Sequence, residues 1–87
     1  MTNQLLNVRI VTPKAIVYEG TALSVSSKNS KGKFDILPQH ANFITIVEKS
    51  PITIRTDLKK RLTFNFEVAI ISTIKNLVNI YTDITLK

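Results

Sequence analysis

Residues 8–46 read VRIVTPKAIVYEGTALSVSSKNSKGKFDILPQHANFITI, and this stretch decides the fold. It opens with a strand that runs into Thr12-Pro13, where proline has no amide proton to give a ladder. A second short strand ends at Glu19-Gly20. A third ends in the polar turn Asn29-Ser30-Lys31-Gly32, with Gly32 where a hairpin needs a positive φ. Phe34-Asp35-Ile36-Leu37-Pro38-Gln39-His40-Ala41 follows.

Outward from this stretch the hydrophobic period stays at two. Leu6, Val8 and Ile10 alternate with Asn7 and Arg9, and Ile52 and Ile54 flank Thr53. Leu62, Phe64, Phe66, Val68 and Ile70 read as one continuous alternation with Thr63, Asn65, Glu67 and Ala69. Val78, Ile80 and Thr82 alternate with Asn79, Tyr81 and Asp83. A period of two puts one face of each strand inside and the other outside. Further turns are expected at Ser50-Pro51, Thr56-Asp57 and Lys75-Asn76, with Pro51 opening a strand. Ala69 to Ile74 is apolar enough to be mistaken for helix, but it is short and β-branched. The reading is all-β: an antiparallel sandwich of about ten short strands with tight connections.

The chain has 87 residues, which makes one domain, residues 1–87, the expected organisation. So small a domain buries only roughly 60–65% of its unfolded surface, so its stability is expected to be modest. Hydrophobic residues at 44% and charged residues at 21% argue against disorder. There is no cysteine, which excludes disulfides and thiolate metal sites. No apolar run approaches the roughly 18–20 residues that span a bilayer, and the N-terminus lacks a signal-peptide pattern. A soluble chain is the expectation.

The net charge of +6 suits an acidic protein, an acidic membrane surface or nucleic acid. Lys28, Lys31 and Lys33 surround the Gly32 turn, and Lys59, Lys60 and Arg61 form a second cluster. Such lysines also guard sheet edges against aggregation. Nucleic acid is disfavoured, because aromatics are few and Phe34 and Phe43 sit in apolar company, whereas single-strand binders show aromatics beside a basic groove. Catalysis needs converging groups, and none converge here. His40 is the single histidine, and the six acids, Glu19, Asp35, Glu48, Asp57, Glu67 and Asp83, are scattered. No phosphate loop or nucleophile elbow is present. The reading is of a non-enzyme with no catalytic residue, no cofactor and no metal. His40 reads as a turn histidine that ties the backbone of its loop, or as a contact at a subunit interface.

The order of strands, turns and the pentapeptide Leu37-Pro38-Gln39-His40-Ala41 resembles the epsilon subunit of F-type ATP synthases. Leu77-Val78-Asn79-Ile80-Tyr81-Thr82-Asp83 is similar to that family's final hairpin. The resemblance implies a non-catalytic central-stalk subunit that couples ATP synthesis or hydrolysis to rotor rotation and proton transport. It implies a gamma-like rotor subunit as partner, a rotor ring at one end of the sandwich, and an indirect link to the catalytic alpha/beta head. It also implies a peripheral place on the cytoplasmic side of a membrane, or the organellar equivalent. The family's ring-facing turn matches Asn29, Ser30, Lys31, Gly32, Lys33 and Phe34. Pro38, Gln39, His40 and Ala41 match a loop at the same end.

Three departures accompany the resemblance. The family's usual C-terminal helical hairpin has no counterpart in the sequence, so inhibition by it is not expected. Val68-Ala69 stands where members often carry two glycines, which makes these residues interface candidates too. Lys33 stands where many members are acidic or neutral, and Gln39 replaces Gly or Asn. The departures keep two alternatives open. One is an epsilon-like subunit of a specialised motor ATPase in which another output element replaces the proton ring. The other is a free-standing basic β-module that binds nucleic acid or an acidic protein.

Overall fold

The computed structural model describes residues 5–39 and 41–82. Among them the chain forms nine strands and no helix. These are β1 (Leu6–Val11), β2 (Ile16–Ala22), β3 (Ser24–Asn29), β4 (Gly32–Ile36), β5 (Phe43–Glu48), β6 (Pro51–Asp57), β7 (Lys60–Asn65), β8 (Val68–Ile74) and β9 (Leu77–Thr82). The all-β reading holds, and the strand number falls close to the expected one. His40 and Asp83 lie outside the described residues.

The strands form two sheets. One has five strands in the order β2-β1-β9-β8-β5, the other four in the order β4-β3-β6-β7. Every ladder is antiparallel except β1 with β9, which run parallel from Asn7↔Leu77 to Val11↔Tyr81. Strand alternation had no means of showing this exception, because a period of two is the same for either pairing.

The inward positions are those the alternation selects. Leu6, Val8 and Ile10 of β1, Val25 of β3, Ile52 and Ile54 of β6, and Val78 and Ile80 of β9 are all buried. Ala22, Ile36, Val47, Ala69 and Ile71 complete the cluster. Aromatic pairs close the two open sides of the sandwich. Tyr18 of β2 meets Phe64 of β7 with centroids 5.9 Å apart, and Phe34 of β4 meets Phe43 of β5 at 5.4 Å, edge to face. Tilted geometries of this kind suit the ring quadrupoles.

Two expected details change. No turn occurs at Glu19-Gly20, because β2 runs through both residues and the chain bends at Leu23 instead. Gly20 is covered by its own strand: a Cβ there would lie 2.8 Å from the Tyr18 hydroxyl. The glycine makes room for a ring that seals the sandwich. The long alternation from Leu62 to Ile70 is also two strands. It breaks at Phe66-Glu67, where the chain leaves the four-stranded sheet for the five-stranded one. The crossing resets the phase, so Ala69, Ile71 and Thr73 face the core while Val68 and Ile70 face out.

The turns follow local chemistry. Gly32 has φ +123°, a region closed to side chains, and Asn29 Oδ1 accepts a hydrogen bond from the Lys31 amide at 2.9 Å to hold the turn. The turn expected at Thr56-Asp57 sits two residues later, at Leu58-Lys59. There Asp57 Oδ1 accepts from the Lys59 amide at 2.7 Å.

Among the described residues the core carries one polar defect. The Thr73 hydroxyl is buried with no hydrogen-bond partner. Replacing it with an isosteric apolar group removes an unpaid desolvation, so Thr73→Val is expected to raise stability by about 1 kcal/mol. Ile80→Ala, which empties a fully buried position, is expected to cost about 2–5 kcal/mol. Urea unfolding of the two variants beside the parent chain checks both signs.

Candidate functional site

The sandwich has two outer faces of opposite character. On the five-stranded sheet, cross-strand partners share a face, so the register places Ile46, Ile70, Tyr81 and Val11 in one row across β5, β8, β9 and β1. Ile46 is 54% exposed and Tyr81 41%. Ile74 and Leu77 add a second exposed pair where β8 turns into β9. Between them lies the polar row Ile44, Ser72, Asn79 and Arg9, in which only Ile44 is apolar. An apolar row on the outside of a sheet is a surface still to be covered.

The four-stranded sheet shows the reverse. Its outer face carries Lys28 opposite Lys33, Arg55 opposite Arg61, and the hydroxyls of Ser24, Ser26, Thr53 and Thr63. Ser26 donates a hydrogen bond to Asp35 across the β3–β4 ladder. Arg55 Nη2 reaches the Leu58 carbonyl at 3.5 Å, while its Nε is buried without a partner. A depression of about 450 Å³ lies among Ser24, Ser26, Asp35, Thr53, Arg55 and Arg61. Among the described residues the one ion pair is Arg9–Glu19, at 3.6 Å between exposed groups on the other sheet.

The candidates named from sequence divide sharply. Ser30, Lys31 and Lys33 are exposed on and beside the β3–β4 turn. Asn29 is half-buried, and its Nδ2 donates to Thr45 Oγ1 at 2.9 Å, tying the turn to β5. Gly32 supplies the turn geometry. Phe34 faces inward, partly buried, and packs on the core and Phe43. Ala69 is likewise corrected, since it is fully buried under β8, whereas its neighbour Val68 faces out.

Pro38, Gln39 and Ala41 lie in the loop between β4 and β5. The Gln39 amide donates to Asn76 Oδ1 at 2.7 Å, so this loop is fastened to the β8–β9 turn. The Lys75 amide adds a bond to Asn42 Oδ1 at 3.2 Å. The expectation that the turn and the loop share one end of the sandwich is corrected: they lie at opposite ends of β4, an edge strand, and both border its β4/β5 side. A shallow groove of about 800 Å³ on that side runs between Lys28–Lys31 and β5. No group of three metal-ligating side chains forms among the described residues.

The domain thus has a nine-strand sandwich, one apolar outer face and a basic turn at its β4/β5 side. The profile of the ATP synthase delta/epsilon chain beta-sandwich domain matches residues 5–87. The chain belongs to this family. It is 36% identical over 61 residues to the ATP synthase epsilon chain of Campylobacter jejuni, a match covering 69% of this chain and 47% of that protein. It is 37% identical over 54 residues to the epsilon chain of Sulfurimonas denitrificans, covering 62% and 42% respectively. The matched stretch therefore spans less than half the length of these relatives.

Solved structures share the fold. A chain of the Euglena gracilis mitochondrial ATP synthase superposes with TM-score 0.83 at 8% identity, over 94% of this chain and 52% of that one. A chain of the Tetrahymena thermophila mitochondrial ATP synthase central stalk and ring superposes with TM-score 0.73 at 16% identity, over 94% and 66%.

Sequence reasoning named the basic turn of this epsilon-type domain and missed its apolar face. The signal was present: Val68-Ala69-Ile70-Ile71 is apolar at both parities, as a strand reads when both its faces are to be covered. The Lys28–Lys33 pair is directly cross-strand and like-charged, which is destabilising. Lys33→Glu is expected to raise stability by roughly 0.2–1 kcal/mol at low salt. The gain is expected to shrink as salt screens the pair. Thermal melts at two ionic strengths check this.

Proposed function

We propose that this epsilon-type domain is a non-catalytic central-stalk subunit of an F-type ATP synthase or ATPase. It takes no part in bond chemistry and needs no cofactor. Its work is to hold two neighbours in fixed relation while the rotor turns. The observation that carries this reading is the outward-facing apolar row Ile46–Ile70–Tyr81–Val11, exposed at Ile46 and Tyr81, on a domain of this family. A lone soluble domain gains nothing from such a row, whereas a subunit interface gains the free energy of its burial.

In this reading the apolar face receives a gamma-like rotor subunit. The basic turn at Lys28, Lys31 and Lys33 makes the second contact, with the polar loops of a rotor ring or with an output element that replaces it. The alpha/beta head is reached only through the gamma-like subunit. Among the described residues no helix is long and apolar enough to cross a membrane.

Packing also weighs against the nucleic-acid alternative. Tyr18, Phe34, Phe43, Phe64 and Phe66 pack against the core and offer no stacking platform beside the lysines. The test is affinity capture of the chain from its native host, with identification of what comes with it. Head and gamma-like subunits are expected. A ring among them would mean a synthase, and head subunits without a ring a repurposed motor. Capture of neither would sink the reading. Ile46→Asp together with Tyr81→Asp is expected to abolish capture of the gamma-like subunit while leaving the isolated fold intact, because both side chains face outward. Circular dichroism of the double variant separates lost contact from lost structure.

A further inference from the structure

A two-sheet sandwich has four edge strands, and among the described residues these are β2, β5, β4 and β7. A sheet edge offers backbone groups to any extended chain, and proteins guard such edges with charge, proline, bulges or shortness. Three of these edges are guarded. β2 carries Glu19 and Gly20, and its ladder with β1 is interrupted at Ile10/Val11. β7 carries Lys60 and Arg61, and its ladder with β6 is interrupted between Arg55 and Asp57. β4 has only five residues, with Lys33 and Asp35 among them.

The edge at β5 has none of these devices. Phe43-Ile44-Thr45-Ile46-Val47-Glu48 contains no proline and no charge before its last residue. Its ladder with β8 keeps one register from Phe43↔Thr73 to Glu48↔Val68. Ile44 is 71% exposed beside it. The strand is roughly 20 Å long, enough to pair with an extended segment.

We propose that β5 is a strand-addition site that takes an extended, acidic segment of a partner protein. The groove of about 800 Å³ between β5 and the β3–β4 turn is where that segment lies. A strand added there continues the five-stranded sheet, so its side chains alternate between two environments. One set extends the apolar outer face beside Ile44 and Ile46. The other points into the groove toward Lys28 and Lys31, and so is acidic. A second copy of this chain is a poor occupant. The net charge is +6, and pairing β5 with β5 would set two lysine turns against each other. The proposal goes beyond the rotor reading and does not depend on it, since it concerns how a segment is held, whichever complex supplies it.

The test uses the full chain and a blocked heptapeptide alternating valine and glutamate, with a valine–lysine heptapeptide as control. Backbone amide exchange is followed by NMR, strand by strand. At peptide concentrations of about 1 mM, well inside the range of weak strand addition, the valine–glutamate peptide is expected to slow β5 amides about tenfold and the control to leave them unchanged. Ile44→Lys, which installs the missing guard at an exposed position, is expected to abolish the protection with the thermal melt unchanged. Lys31→Glu is expected to shift preference toward the control peptide. Absence of β5 protection, or protection of β2, β4 or β7 instead, overturns the proposal. Concentration-dependent dimerisation with β5 protected in the absence of peptide also overturns it, by giving the edge to a second copy. Failure of the affinity capture above, with the peptide result intact, would count against the rotor reading alone.

Discussion

The ladder on which the domain depends is the parallel pairing of β1 with β9. It joins residues 7–11 to residues 77–81 in the middle of the five-stranded sheet. Without it that sheet is two fragments, β2-β1 and β9-β8-β5. The buried side chains of β1 and β9, Leu6, Val8, Ile10, Val78 and Ile80, would then lose their shared floor. Tight turns organise the neighbouring ladders. This one is held by side-by-side burial and by the bond from the Asn7 amide to the Asn76 carbonyl at 2.7 Å. Its position also fixes what lies outside, since the same register brings Tyr81 next to Val11 and makes the apolar row continuous.

Most of the architecture was legible because a strand with one face in water must alternate. Leu6, Val8 and Ile10 announce their own burial, and Pro13 and Pro51 mark strand ends through the proton they lack. What alternation cannot show is where the chain changes sheets. At Phe66-Glu67 the sequence keeps its period while the backbone turns a corner, and every inward residue of β8 moves by one. Glycine misleads for a related reason. Gly32 is there for its backbone angle and Gly20 for the ring that lies over it, and the letter is the same.

The candidate surfaces were legible only in part. Charge is visible in a sequence wherever it falls, so the lysines around Gly32 were easy to name. Apolar residues on an outer face look like core residues until the register is known. Ala69 was named from the glycine pair it replaces, and the row Ile46, Ile70 and Tyr81 was not, since its residues are far apart in the chain and adjacent only in the sheet. The fastening of Gln39 to Asn76 was likewise beyond reach, because it joins residues 37 positions apart through one side-chain amide.

The central place of β9 has a consequence for synthesis. β9 is the last described strand in the chain and the third in its sheet. The residues of β1 and β8 are made before residues 77–82, so the flanks meant for β9 have no partner until it follows. The four-stranded sheet, β3, β4, β6 and β7, is by then fully translated. Until β9 pairs, the five-stranded sheet stays in two parts with those flanks open. Folds closed by such distant pairings form slowly, in milliseconds to seconds, which lengthens that exposure. The outer row that includes Tyr81 is complete only once β9 has gone in.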